Sequence, residues 1–299
     1  MQNEWKPINN IILEDNALNA IKCECNCLVN AGPGAGKSEL LIQKANYIFT
    51  VINPNSHQKL LAISFTRAAA TNLRDRVNKT FSSTMSRRFV STTFDAFCLD
   101  IYIQFKNVLK ENFVIKNTFT IDFNPDKNFS HEFENFASQA LLDEYKTAPD
   151  YRTMIYLPLL NHTLYEISDP FHKQLLIQYI KYKISKNDLT FEIIKQLAFI
   201  ILSKNEQIRN CIKITYPFVF IDEFQDTNYI QYQIIKLLFL NTNTIITCVG
   251  DKNQSIFSFQ GANNQLIYKF VEDFHAELFF LQNNYRSQSS IVKLVNTLG

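Results

Sequence analysis

The chain of 299 residues has almost no net charge, no long apolar run and no internal repeat, and each absence removes a class of protein. Lys and Arg total 30 against 28 Asp and Glu, a formal charge of +2, so any basic groove for a nucleic acid must be a local feature. No stretch approaches the 18 or so apolar residues of a membrane span, and Met1-Gln2-Asn3-Glu4-Trp5 lacks the pattern of a signal peptide. No membrane association and a cytoplasmic location are therefore expected. Low-complexity tracts are also missing. With 46% apolar and 19% charged residues, the composition is that of a globular chain long enough for one large or two modest domains.

Six cysteines are present, and three of them, Cys23, Cys25 and Cys27, alternate just ahead of a glycine-rich stretch. Alternation sends strand side chains to one face, and the five histidines lie far off in sequence. The run is thus expected to be buried, reduced strand cysteine and not a metal site.

The chain is organised around Tyr216–Thr227, Y-P-F-V-F-I-D-E-F-Q-D-T. Phe218 to Ile221 form an apolar run of high β-propensity, the mark of a strand buried on both faces of a parallel sheet. Asp222 and Glu223 then stand where such a strand emerges, and ligands of open α/β sheets bind at that end. A divalent cation would offset the burial of two adjacent acids. The plainer alternative is a strand that runs into an acidic, solvated turn.

Upstream, a short strand over Cys25–Asn30 leads into Ala31-Gly32-Pro33-Gly34-Ala35-Gly36-Lys37-Ser38, followed by a helix from Ser38 to about Phe49. Strand, glycine loop and helix is the P-loop order, with Ala31 in place of the first consensus glycine. Small residues at Gly32, Gly34, Ala35 and Gly36 let backbone N–H groups turn toward phosphates, and the helix N-terminus adds its positive end. Lys37 supplies a point charge to the β- and γ-phosphates, and the Ser38 hydroxyl can ligate Mg²⁺.

Further strands are predicted at Leu60–Ser64, Phe89–Thr93, Thr244–Val249 and Glu277–Leu281, alternating with helices at 68–78, 94–109, 229–240 and 263–275, and a last helix from about Ser289. Between 110 and 215 the alternation breaks down into helical stretches at 132–145, 170–184 and 191–203. A gap of that length between sheet strands reads as an inserted helical subdomain. The expected division is 1–109 and 216–299 for a sheet domain in two parts, with 110–215 inserted.

With both nucleotide motifs placed, the chain resembles the N-terminal half of a UvrD/Rep-type superfamily 1 DNA helicase. Matching blocks occur in family order: A-G-P-G-A-G-K-S at 31–38, A-I-S-F-T-R-A-A-A-T-N-L-R at 62–74, T-T-F-D at 92–95, D-E-F-Q-D-T at 222–227, V-G-D-K-N-Q-S-I-F-S-F-Q-G-A at 249–262 and N-Y-R-S at 284–287. The resemblance implies an α/β, RecA-like P-loop NTPase sheet with ATP and Mg²⁺ as cofactors and single-stranded or duplex DNA as partner. It also implies a 3′→5′ helicase activity. By the same resemblance Lys37 and Ser38 hold phosphates and Mg²⁺, Asp222 holds Mg²⁺, and Glu223 activates the attacking water. Gln254 senses the γ-phosphate, Arg74 and Arg286 approach it, and Tyr285 stacks on the adenine. Gln225 and Asp226 link this site to neighbouring motifs. Phe65, Thr66, Phe94, Phe257 and Phe259 fall where the family contacts single-stranded DNA, and stacking on any base suits a translocase.

Several positions depart from the family pattern. Ala17 or Asn16 stands where an adenine-reading glutamine belongs, and Glu39 where an arginine is common. Asp95 replaces the histidine of T-F-H, and Gln260 replaces an arginine. An acid at 95 is expected to weaken phosphate contact and loosen the DNA path. The sequence stops at Gly299, after the sixth block, and reads as one half of a two-domain enzyme whose second RecA-like domain supplies an arginine across the cleft. Two rival readings share these motifs: a non-unwinding ATPase switch that controls a nuclease or a defence or repair complex, and a DNA-binding module with a dead ATP site.

Overall fold

The computed structural model describes residues 5–54, 56–115, 118–122, 155, 157–251 and 265–285. Within them lies a six-stranded sheet of order β3-β2-β6-β7-β1-β8, every pairing parallel. Its strands are β1 (Cys27–Ala31), β2 (Leu60–Ser64), β3 (Phe89–Thr93), β6 (Phe218–Ile221), β7 (Ile245–Gly250) and β8 (Glu277–Leu281). A separate parallel pair, β4 (Thr120–Ile121) with β5 (Asp188–Leu189), sits in the helical region and has no counterpart in the sequence reading.

Strand periodicity divides the interior in two. Leu28, Leu61, Ile63, Val219, Ile221 and Ile246 face one layer, which they share with helix α5 (Phe94–Phe105), with the helices Pro170–Ser185 and Phe191–Lys204 of the inserted region, and with the helix Tyr229–Phe239. Val29, Leu60, Ala62, Phe218, Phe220 and Val249 face the other, built from α1 (Asp15–Lys22), α2 (Lys37–Tyr47) and α3 (Arg67–Thr80). The inserted helices thus join the sheet's own core on one face.

Helix starts follow local chemistry. Thr66, Thr93, Asp169, Thr190 and Asn205 each accept a backbone N–H with the side-chain oxygen, and Asn228 with Gln231 forms a reciprocal capping box. The expected helices at 170–184, 191–203 and 229–240 lie within a residue or so of those found. Helices Ser83–Arg88 and Glu206–Thr215 are additional to the sequence reading. The stretches 132–145 and beyond 289 lie outside the described residues.

The cysteine run differs from expectation. The strand begins at Cys27 and not at Cys25, because α1 continues to Lys22 and Cys23 closes it, its N–H donating to Asn19 O at 2.9 Å. Only Cys27 of the three is buried; Cys23 is half-buried and Cys25 exposed.

Candidate functional site

Because all strands of the large sheet are parallel, the loops that leave their carboxyl ends gather on one edge. From β1 the chain enters the glycine loop. Gly34 and Gly36 adopt φ of +75° and +87°, values that a side chain disfavours, and Gly36 hands the chain directly into α2 at Lys37. No side chain caps that helix start, so its first N–H groups are left for a ligand, as anion sites at helix starts require. Ala35 is buried beneath the loop, and Gly32 runs close to Asp251 Oδ2, which would lie 3.9 Å from a Cβ at position 32.

From β6 the chain turns through Asp222 and Glu223. Asp222 is held by its N–H donating to Ile63 O at 2.8 Å, and its Oδ1 accepts from the Glu223 N–H at 3.0 Å. Glu223 has φ of +53°, a left-handed conformation that costs a non-glycine residue about 1–2 kcal/mol. The turn aims its carboxylate at the glycine loop: Glu223 Oε2 accepts from Lys37 Nζ at 2.8 Å. It accepts as well from Gln225 Nε2 at 2.9 Å, while Gln225 Oε1 accepts from the Asp251 N–H at 3.0 Å. Gln225 therefore ties the turns after β6 and β7 together. A Cβ at Gly250 would stand 2.6 Å from Gln225 Oε1 and 3.3 Å from the Phe224 nitrogen, so a side chain there would push the Gln225 carboxamide out of this bridge.

Three carboxylates, Asp222, Glu223 and Asp226, surround this one ammonium. Burial, and after it the Glu223 charge, push both the Asp222 and Asp226 carboxyls up to about 6 against the pull of Lys37. The buried Asp226 Oδ1 has no hydrogen-bond partner among the described residues. A cluster short of positive charge, lined by oxygens, fits a hard divalent cation such as Mg²⁺, with Asp222 and the Ser38 hydroxyl in the first turn of α2 as donors.

The turn after β8 also reaches the loop. The Tyr285 N–H donates to Gly34 O at 2.9 Å, and its exposed ring lies 3.8 Å from a Cβ built on Gly36. Gln254, Phe257, Phe259, Gln260 and Arg286 lie outside the described residues.

Other predicted residues are placed differently from one another. Phe65 is half-buried and Thr66 exposed at the end of β2, where the Thr66 hydroxyl caps α3. Phe94 is a core residue and not a surface aromatic. It is 6% exposed and meets Phe97 edge-on at 6.4 Å, because α5 turns that face onto the sheet. Arg74 lies on α3. It is exposed, its Nη2 lying 3.5 Å from Thr71 Oγ1 on its own helix.

Three residues bear on the site without having been singled out by the motifs. Arg76, half a turn beyond Arg74, pairs with Glu39 on α2. Glu39 Oε1 in turn accepts from Gln43 Nε2 at 2.8 Å, and Gln43 Oε1 accepts from the Ile8 N–H at 2.8 Å. The acid at 39 is thus neutralised from α3, and the chain before α1 is fastened to the phosphate-loop helix. The acid at 95 is explained likewise: Asp95 Oδ1 accepts from the buried Lys195 Nζ at 3.1 Å, which joins α5 to the inserted helix Phe191–Lys204. Asp95 thus serves an internal pair. Asn16 donates to Phe280 O at 2.9 Å and Ala17 is buried.

The family described as UvrD/REP helicase N-terminal domain matches residues 13–275. The chain is similar to the ATP-dependent DNA helicase Rep of Buchnera aphidicola subsp. Acyrthosiphon pisum, at 30% identity over 91% of this chain and 42% of that protein. It is 29% identical to the probable DNA helicase II homolog of Mycoplasma genitalium, over 91% of this chain and 40% of the relative. Against Rep of Escherichia coli the identity is 28%, over 91% and 41%. The chain thus spans about two fifths of the length of the curated relatives it matches.

Proposed function

Because this chain belongs to the family of UvrD/REP helicase N-terminal domains, we propose that it is the ATP- and single-stranded-DNA-binding half of an ATP-dependent 3′→5′ DNA helicase. The observation that carries the reading is the 2.8 Å contact between Lys37 and Glu223, made by a backbone strained to aim that carboxylate across the mouth of the glycine loop. A structural ion pair has no need of such strain; a base that must face a phosphate does.

The chemistry follows from the geometry. A γ-phosphate in the loop competes with Glu223 for the Lys37 ammonium, which leaves Glu223 to accept a proton from water. As the water oxygen bonds to phosphorus, the bridging oxygen leaves with ADP, and Lys37 with the helix start stabilises the charge. Mg²⁺, when bound at Ser38 and Asp222, neutralises phosphate oxygens. Gln225 keeps Glu223 oriented and passes its position to Asp251 and the segment after β7. Tyr285, beside the loop, is suited to stack on a base, and Gln254 and Arg286 take the sensing and charge-stabilising roles the family resemblance implies. Phe65 and Thr66, with Phe257 and Phe259, form the single-strand path, reading no sequence.

Equilibrium titration with a fluorescent ATP analogue in Mg²⁺ tests this. Lys37→Ala should weaken binding by tenfold or more, about 1.4 kcal/mol. Glu223→Gln should bind as well or several-fold tighter, because it removes a competitor for Lys37 and a charge facing the phosphates. If Glu223→Gln weakens binding as much as Lys37→Ala, Glu223 is part of the phosphate cradle and not the base.

A further inference from the structure

At the amino ends of the strands, opposite the nucleotide loop, a second cluster of ionisable groups plays no part in that chemistry. Cys23 closes α1, Cys25 lies in the link to β1, and Glu277 opens β8. Asn26 sets their relative positions. Its Oδ1 accepts from the Ile246 N–H at 2.9 Å, its Nδ2 donates to Phe274 O at 3.1 Å, and its backbone oxygen accepts from the Glu277 N–H at 2.9 Å. The link between α1 and β1 is thereby pinned beside Glu277. Cys23 Sγ, Cys25 Sγ and a Glu277 carboxylate oxygen all lie within 4.8 Å of one another, the two sulfurs 3.1 Å apart.

The neighbouring Cys27 thiol also pairs with that of Cys23, and Glu24 has a partner of its own. Cys27 is buried in β1, where its thiol meets Thr247 Oγ1 at 3.5 Å, and Glu24 turns away to accept from Tyr47 Oη at 3.2 Å. A separate observation concerns charge. Lys44, only 1% exposed, donates to Ala20 O at 2.7 Å and Cys23 O at 2.9 Å and lies 3.6 Å from Cys27 Sγ. Among the described residues its ammonium makes no ion pair with a carboxylate. A buried cation without an anion is costly, and this one is held at the Cys23 backbone oxygen, so negative charge gathered around Cys23 is favoured.

We propose that Cys23, Cys25 and Glu277 bind a thiophilic divalent cation of the zinc class. Two thiolates and a carboxylate carry three negative charges; a dication and the Lys44 ammonium cancel them. A sulfur-rich donor set selects zinc over magnesium or calcium, which take oxygen. Tetrahedral zinc with bonds of about 2.3 Å to sulfur needs the sulfurs about 3.8 Å apart. Side-chain rotation of the exposed Cys25 supplies that opening. The exposure of Cys25 and Glu277 leaves the fourth position to water. The ion would clamp the start of β1, the strand that carries the glycine loop, to the start of β8.

The test uses the reduced, chelator-treated protein without nucleotide, so that it is independent of the ATP reading. Co²⁺ should bind at one equivalent with thiolate-to-cobalt charge-transfer absorption, and Zn²⁺ should displace it. Cys25→Ser, at an exposed position, should abolish the band, Glu277→Gln should weaken Zn²⁺ binding by tenfold or more, and Cys211→Ser should change nothing. In the unmodified protein Zn²⁺ should shield Cys23 and Cys25 from alkylation. No charge-transfer band, a band that survives in Cys25→Ser, or alkylation of both thiols unaffected by Zn²⁺ would each overturn the proposal.

Discussion

The two ends of the same sheet are put together on different terms. At the carboxyl end the backbone is bent into conformations that residues avoid, at Gly34, Gly36 and Glu223, and three acids share one lysine. At the amino end an ordinary asparagine joins three chain segments by hydrogen bonds, beside a left-handed residue at His275. Three acids facing one lysine thus mark the end to which the strands point, and the opposite edge is fastened by hydrogen bonds. Stability spent at one end must be supplied elsewhere, by the two apolar layers. The comparison predicts that changes at the carboxyl turns alter ligand binding, whereas changes in the layers and at the amino end alter stability.

Phe94 gives the largest expected effect and the sharpest break, because its sequence position says ligand and its packing says core. Phe94→Ala should cost about 3–5 kcal/mol in denaturant unfolding. Single-stranded DNA affinity of the folded fraction should be unchanged. A weakened DNA affinity at unchanged stability would move Phe94 back to the DNA face.

Asp95 and Lys195 separate a neutralised acid from the unbalanced ones beside the glycine loop. Lys195 is buried, whereas Asp95 is about a third exposed, so the two partners are not equivalent. Asp95→Asn leaves a buried cation with Glu192, 3.8 Å away, as its remaining carboxylate and should cost about 3 kcal/mol. Lys195→Met removes that cation, leaves an acid that water can reach, and should cost about 1 kcal/mol. Thermal unfolding of the two variants gives the order. Equal losses would mean that the pair is symmetric and Lys195 better hydrated than its burial implies.

The strands were the most legible part of the sequence, and for a physical reason. β2, β3, β6 and β8 fall on their expected residues because β-branched and aromatic runs bounded by turn residues have few other uses. The glycine loop and the acidic turn were legible because few residue types satisfy their backbone and charge demands. What stayed hidden depends on distant partners. Nothing near Asp95 in sequence announces Lys195, a hundred positions on, and nothing near Glu39 announces Arg76. In the cysteine run, alternation mimics a strand, whereas α1 extends to Lys22 and leaves Cys23 and Cys25 in its exit. A helix end is decided by capping and packing that local alternation does not contain.

Asn26 gives a small effect and the most direct test of whether the two ends are independent. Its carboxamide makes two hydrogen bonds to backbone groups at the starts of neighbouring strands, to the Ile246 N–H and to Phe274 O. Asn26→Ala removes both and leaves the N–H of the buried Ile246, near the start of β7, without its acceptor. A net cost of about 1–2 kcal/mol is expected, as for one or two ordinary hydrogen bonds. Asn26→Asp keeps the acceptor for Ile246 and loses the donor to Phe274, so it should fall between. Nucleotide affinity should not follow, because β1 is paired on both sides along its length and a loosened start need not reach Gly32. Parallel measurement of unfolding and of nucleotide binding decides it. A loss of affinity that tracks the loss of stability across the two variants would show that β1 transmits its amino end to the glycine loop, and that the two ends of the sheet act as one.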